Sequence, residues 1–550
     1  MAQKPSLRNA IKKLNKTILV DKKDVGSVYF YAIIAGLIAL TLPLGIQSII
    51  GFVMAASLST SIIVLITVVI LGVIVNGIVQ VRQMQVIERI RQKIFARYSF
   101  EISDKLPNID LQKMDQFYLP EVVNRYFDIT NLIKGIEKIL LDVPTAITQI
   151  ALGLLLLSFY HPIFIAFGAI LLILLAIILK ATSSEGFETS IQASNYKYAI
   201  ADWLQEVART INTFKFSKEN QLHNIKTDEL LSRYLNQRTN HFKILATQFK
   251  SLVGFKILII SAMLIVGTWL LLNQQINIGQ FIAADIVIIL IINSIEKLIV
   301  SMDHVYTSLT SIEKLGKIVD SDVEENGSVQ FNTTQPIDIH LKDVSYTYPD
   351  GSEALKNITL HFNANQINII KGSSGAGKST LIKILTGALS NYSGSISFND
   401  VPLHNYNIQS IRKVTGIMLN KQDIFRGSII DNLTMGNKLI TMEEILPIAK
   451  IIGFNEFING TKDGYNTKIE PTGKRINQHN KQNLLLLRAL LGNPSILLLE
   501  DPLSHLKPAQ QQALLQYIHS KKITCIIISN NDIPVNNITY HELTDGTILK

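Results

Sequence analysis

Gly372-Ser-Ser-Gly-Ala-Gly-Lys378-Ser379-Thr380 is the stretch that decides how the rest of this sequence is read. It satisfies G-x-x-x-x-G-K-[ST], with a short β-type run, QINII at 366–370, before it and LIKIL, spaced as a helix, after it. Strand, glycine turn and helix start form the setting in which backbone N–H groups turn inward as an anion nest at a helix N-terminus. Lys378 is then placed to reach the β/γ-phosphates, and the Ser379 hydroxyl to bind Mg²⁺. Gly372, Ser373, Ser374, Gly375, Ala376, Gly377, Lys378, Ser379 and Thr380 are therefore candidate phosphate-binding residues. A chance glycine loop would have neither flank. The chain is expected to bind a nucleoside triphosphate.

Composition points to a membrane protein. Of 550 residues, 47% are hydrophobic and only 17% charged, too apolar for an ordinary soluble enzyme. A net charge of +9 would suit a nucleic-acid partner. However, Lys4, Arg8, Lys12, Lys13, Lys16, Lys22 and Lys23 stand just ahead of the first apolar segment, where the positive-inside rule puts them. No nucleic-acid partner is expected. The single cysteine, Cys525, lies in the apolar run 523–528 and permits neither an internal disulfide nor a cysteine-based metal site. The histidines show no zinc-ligand spacing, and the start MAQKPSLRNA lacks the apolar core of a cleavable signal peptide.

Six apolar segments, at 28–52, 62–81, 143–160, 162–179, 257–272 and 278–299, can each cross or nearly cross a hydrocarbon core of about 30 Å. The connections at 53–61, 160–161 and 273–277 contain no Lys or Arg, whereas the N-terminus, 82–138 and 180–256 contain many. Both termini are thus expected in the cytoplasm. Ile87, Ile90 and Ile94, and likewise Trp203, Val207 and Ile211, continue the helical period, so the long connections read as helices projecting beyond the bilayer. In the sixth segment Asp285 and Glu296 fall about 20° apart around a helix, with Asn293 close to the same face. They read either as a polar stripe on an internal pathway or as interfacial residues, with Glu296 beside Lys297 at the inner side. From 320 to 336 polar, turn-forming residues take over.

Six spans, long cytoplasmic excursions and a following P-loop segment resemble an ABC exporter half-transporter, over nearly the whole chain. Further landmarks fall at that family's spacing. Tyr348, in Val344-Ser-Tyr-Thr-Tyr348-Pro, matches the aromatic residue that stacks on adenine. Gly464-Tyr-Asn-Thr467 matches the approach to the signature, and Arg488-Ala-Leu-Leu with Ser495-Ile-Leu-Leu-Leu499 matches the helix and strand leading to the Walker B acids. The resemblance implies an all-α polytopic membrane domain of six transmembrane helices, followed by an α/β P-loop ABC nucleotide-binding domain. The implied boundaries are a basic cytoplasmic segment at 1–27, the membrane domain at 28–315, a linker at 316–336 and the nucleotide-binding domain at 337–550. It also implies ATP and Mg²⁺ as ligands, a second half-transporter as partner in a homodimer or heterodimer, and the inner or plasma membrane of a bacterium as location.

Departures from the family pattern cluster at the catalytic positions. Where the family has L-S-G-G-Q, this chain has Ile476-Asn477-Gln478-His479-Asn480. Gln478 and His479 place side chains where glycine would let backbone approach the partner's γ-phosphate, while Asn477 replaces the serine as a hydrogen-bond donor. The Walker B pair is Glu500-Asp501 rather than Asp-Glu. By resemblance Glu500, with Ser379, holds Mg²⁺ through a longer arm, and Asp501 occupies the catalytic glutamate's position one methylene short. A register slipped by one residue would give the metal to Asp501, but needs a gap before the acids. The Q-loop position is Asn420, the switch-histidine position Asn530, and the D-loop reads Ser504-His-Leu-Lys507.

Two functions follow from this pattern. One is an ATP-dependent exporter subunit, working as a dimer by alternating access with a divergent and slow ATPase site. The alternative is an ATP-binding but essentially non-hydrolysing membrane scaffold or regulatory component of a secretion complex. Ile276-Asn-Ile-Gly279-Gln-Phe-Ile-Ala283 is similar to the G-Q-L-I-A stretch of type I protein secretion and bacteriocin exporters. That likeness implies peptide or protein cargo and a periplasmic adaptor partner, with lipids or small amphiphiles as the competing cargo. An N-terminal peptidase domain, common in those exporters, is not expected in the 27 residues before Val28.

Overall fold

The computed structural model describes residues 6–54, 59–110, 112–113, 119–332, 335–471, 476–529 and 538–549, which form two compact units. The first holds the described residues up to 322, apart from Asp110, Gln112 and Lys113, which group with the second.

The first unit is helical. α1 (Leu7–Leu19) leads into α2 (Lys22–Ala39) and α3 (Thr41–Met54). α4 (Ser59–Lys105), α5 (Leu119–Val123) and α6 (Asp128–Tyr160) follow. α7 (Ile163–Arg209), α8 (Ile211–Phe216), α9 (Leu222–Leu272), α10 (Ile278–Val300) and α11 (Met302–Val319) complete it. Six helical segments are long and apolar enough to cross a membrane, and the most apolar window of the second is 0% buried. Such surface is stable against lipid, which is as apolar as leucine. α4, α7 and α9 have 47, 47 and 51 residues. At 1.5 Å per residue each reaches about 70 Å or more, over twice a hydrocarbon core, so the long connections do continue the spans as helix.

Two local details differ from the linear reading. The first apolar segment, read as one piece across 28–52, is interrupted at Leu40 between α2 and α3. Pro43 has no N–H to give the Ala39 carbonyl, and the Thr41 hydroxyl donates to the Ile38 carbonyl at 2.7 Å. The start of α10 is a capping box. The Asn277 side chain accepts the Gln280 N–H at 2.8 Å, and the Gln280 side chain accepts the Asn277 N–H at 2.9 Å. Gln280, singled out for its likeness to a secretion motif, thus has a structural task at this turn.

The second unit opens with β1 (Ile339–Thr347), β2 (Glu353–Phe362), β3 (Ile367–Lys371), α12 (Lys378–Leu385), β4 (Ser393–Phe398) and β5 (Val401–Pro402). Next come α13 (Ile408–Arg412), β6 (Thr415–Met418), β7 (Gly427–Ser428), α14 (Ile429–Thr434), α15 (Met442–Ile451), α16 (Phe454–Asn459) and β8 (Lys468–Ile469). α17 (Gln478–Leu490), β9 (Ile496–Glu500), α18 (Pro508–Ser520), β10 (Thr524–Ile528), β11 (Ile538–Thr544) and β12 (Thr547–Leu549) finish it. One sheet has the order β12-β11-β3-β10-β9-β6, parallel except for β12. A second, antiparallel sheet has the order β2-β1-β4-β5. The continuous apolar runs ILLLE and TCIII become β9 and β10, buried at every position, as central parallel strands covered on both faces require.

The polar stretch read as linker is ordered where it meets this unit. Arg412 donates to both oxygens of Glu324, at 2.5 and 2.8 Å, and Gly327 N–H donates to the Tyr406 carbonyl at 2.9 Å. Cys525, in β10, is 0% exposed, and burial pushes its thiol well above the usual range. A maleimide should therefore label the folded protein slowly and the denaturant-unfolded chain fast. Rapid labelling before unfolding, followed by mass spectrometry, would contradict this packing.

Candidate functional site

The phosphate loop joins buried β3 to α12 at the C-terminal edge of the parallel strands, where open α/β sheets bind ligands. Two glycines are obligatory there. A Cβ on Gly372 would lie 2.0 Å from the Leu543 carbonyl oxygen, and one on Gly377 would lie 2.3 Å from that of Ala354. Gly377 also has φ +99°, a conformation side-chain-bearing residues avoid. The loop thus presses onto neighbouring backbone on one side and opens a cavity on the other.

That cavity, about 420 Å³, is lined by Ser374 to Thr380 together with Tyr348, Asn420, Glu500 and Asp501. Lys378 donates to the Gly372 and Ser373 carbonyls at 2.6 and 2.7 Å. Burial holds its ammonium below the ordinary lysine value, opposed by the charges of Asp501 and Glu500. Glu500 is 4% exposed, with both carboxylate oxygens engaged. The Ser379 hydroxyl donates to one, and the Asn420 N–H donates to the other at 2.7 Å. Asp501 follows at φ +50°, with its carboxylate 3.5 Å from the Asn420 side-chain amide. Glu500 rather than Asp501 meets Ser379. The Tyr348 hydroxyl and the Thr380 hydroxyl lie 2.9 Å apart.

The phosphate loop, Tyr348, Asn420, Glu500 and Asp501, quoted from distant parts of the sequence, thus meet at one cavity. Ser352, Glu353 and Ala354 line it as well and were not singled out. The turn Pro349-Asp-Gly-Ser352, closed by Tyr348 N–H on the Ser352 carbonyl at 2.9 Å, was the available signal that the strand returns beside the loop. Asn530 lies outside the described residues. The signature-equivalent residues do not line this cavity. Ile476 is buried in the core, and the Asn477 side-chain oxygen caps α17 by accepting the Asn480 N–H at 2.8 Å. Gln478 and His479 are exposed, and the His479 ring stands edge-on to His505 at 6.3 Å.

Within the single chain the three polar residues of the sixth span have different surroundings. Glu296 is paired with Lys256 of α9, Asn293 is exposed, and Asp285 is half-buried. The buried polar contact on α10 is instead Ser294, whose hydroxyl donates to Gln149 at 2.8 Å.

Comparison with known proteins agrees with this geometry. The ABC transporter family matches residues 355–504, which span the loop, the signature position and both acids. The chain carries an ABC transporter domain on an ABC exporter fold. The resemblance to exporter half-transporters read from the sequence is borne out. An export ATP-binding/permease protein of Rickettsia conorii is 27% identical over 453 residues, 80% of this chain and 78% of that protein. The alpha-hemolysin translocation ATP-binding protein HlyB of Escherichia coli O157:H7 is 28% identical over 61% of this chain and 48% of its own length. The lactococcin-A transport/processing protein LcnC of Lactococcus lactis is 25% identical over 74% of this chain and 58% of its own. A bacterial Atm1-family ABC exporter solved with ATP bound superposes with a TM-score of 0.84 at 16% identity, covering 96% of this chain and 94% of that one. An ABC exporter fold with six helical segments long and apolar enough to cross a membrane makes this an integral membrane protein.

Substituting Gly377→Ala should destabilise the domain by about 1–3 kcal/mol through backbone strain alone. It should also weaken binding of a fluorescent ATP analogue. Unchanged affinity and unfolding midpoint would show that the loop is not held as described.

Proposed function

We propose that this chain is an ATP-driven export subunit working as a dimer by alternating access, with both termini in the cytoplasm. The observation that carries the reading is the complete phosphate loop meeting a fully engaged Glu500 carboxylate. In this reading the loop N–H groups from Gly372 to Thr380 and the Lys378 ammonium hold the phosphates, and Tyr348 supports the base. The Ser379 hydroxyl and the Glu500 carboxylate are hard oxygen donors in contact, a set that fits Mg²⁺. Bound there, the metal would draw charge from the phosphates.

Asp501 is the residue we assign to take the proton of the attacking water. The Asn420 amide beside its carboxylate limits the directions in which it can point. We assign Asn530 an uncharged polar role at the switch position. Asn477, Gln478 and His479 are assigned to meet the second subunit's nucleotide, the last two with side chains in place of glycine backbone. The names of HlyB and LcnC support a protein or peptide cargo, and with it an adaptor partner. The G-Q-F-I-A likeness adds little to that support, since Gln280 serves the helix cap.

The exchange of the two acids and the side chains at 478 and 479 favour a second reading, a non-hydrolysing scaffold. ATPase activity of the purified protein in lipid, with second subunit and cargo supplied, separates the two. We expect Asp501→Asn to lower turnover by about 10²–10⁴, Lys378→Ala to remove it, and chelation of Mg²⁺ to abolish it. Wild-type turnover no higher than that of Lys378→Ala under every condition would sink the exporter reading and leave the scaffold.

A further inference from the structure

Three cations surround the ring of Tyr198 in the membrane unit. The Lys197 ammonium lies 4.7 Å from the ring centroid, that of Lys314 5.6 Å, and the Arg125 guanidinium 5.9 Å. Two of them have acids. Arg125 pairs with Glu121 at 3.1 Å, and Lys197 with Asp128 at 3.5 Å. Lys314 is different: it is only 4% exposed, its ammonium donates to the Asn195 side-chain oxygen, and among the described residues it makes no ion pair within 4.0 Å. An ammonium has three donors, and holding one buried without a counter-charge is costly.

Lys314 lines a cavity of about 1130 Å³ between α1, α7 and α11. Lys317 and Arg8 also line it, and among the described residues neither makes an ion pair within 4.0 Å. Three acids share the lining: Glu313 and Asp320, both taken by Lys13 at 3.5 and 3.0 Å, and Glu188. Buried Phe187 and Ile191 supply an apolar wall. Four cations, Arg8, Lys13, Lys314 and Lys317, thus face three acids. An excess of positive charge beside apolar surface, in a cavity of ligand size, is the chemistry of an anion with an apolar body.

We propose that this cavity binds a small amphiphilic anion, with a phosphate or carboxylate head on Lys314 and Lys317 and its apolar part on Phe187 and Ile191. A dissolved amphiphile and the head of an anionic lipid present the same chemistry. The site is separate from the nucleotide cavity and does not depend on ATP hydrolysis. The test is calorimetric titration of hexyl phosphate into the full chain in phosphatidylcholine nanodiscs, carrying Lys378→Ala so that the phosphate loop does not compete. We expect saturable binding with one site per chain, none for hexanol, and at least tenfold weaker binding in Lys314→Met. Lys317→Gln, at the exposed rim, should weaken binding severalfold and covers the case in which Lys314→Met fails to fold. Phosphatidylglycerol in the disc competing with hexyl phosphate would identify a lipid as the source, and lack of competition a dissolved amphiphile; either supports the site. No saturable binding, or equal affinity in the Lys378→Ala parent and in both further lysine variants, overturns the proposal.

Discussion

The Glu500 carboxylate joins three segments that are far apart in the chain. One oxygen takes the Ser379 hydroxyl from the first turn of α12, and the other takes the Asn420 N–H from the turn after β6. A buried carboxylate short of donors would cost several kcal/mol, so these segments have to arrive together. They can because β9 runs between β10 and β6 in the sheet and is buried along its whole length. The apolar strand fixes where the charged end emerges. The obligatory glycines then fix where the phosphate loop lies against it.

This geometry gives the exchange of acids a backbone aspect. From the strand end, the longer Glu500 arm spans to Ser379 while its second oxygen stays on Asn420. The next residue leaves the strand at φ +50°, a conformation that aspartate adopts more readily than glutamate. A short acid in that conformation sits at the cavity's edge within reach of the Asn420 amide. Three of the altered positions are therefore rearranged as a set, since Asn420 meets both Glu500 and Asp501.

In the membrane unit different physics does the sorting. Lipid accepts apolar side chains, so hydropathy alone marks where helices run, and the positions of all six segments were legible in the sequence. Polar residues within those helices were not. Asp285, Asn293 and Glu296 share a face by angular spacing, yet within the chain Lys256 of another helix pairs with Glu296, Asn293 is exposed and Asp285 is half-buried. Angular spacing describes one helix, and a polar side chain's environment is set by its neighbours. Lys314 shows the same limit: no local pattern distinguishes it from the surface lysines around it.

What the sequence determined by itself was everything carried by short-range rules. Those are the phosphate loop from its glycines, lysine and flanks, the buried parallel strands from unbroken apolar runs, the spans from hydropathy, and the family from motif spacing. The tertiary structure alone decided which groups meet. It put Glu500 rather than Asp501 on Ser379, turned Asn477 into a helix cap, tied Glu324 to Arg412, and left Lys314 buried with no ion pair within 4.0 Å among the described residues. The reason is physical: local propensity and hydropathy act over a few residues. A charge buried in the fold is satisfied by whatever distant segment packing brings within about 3 Å of it.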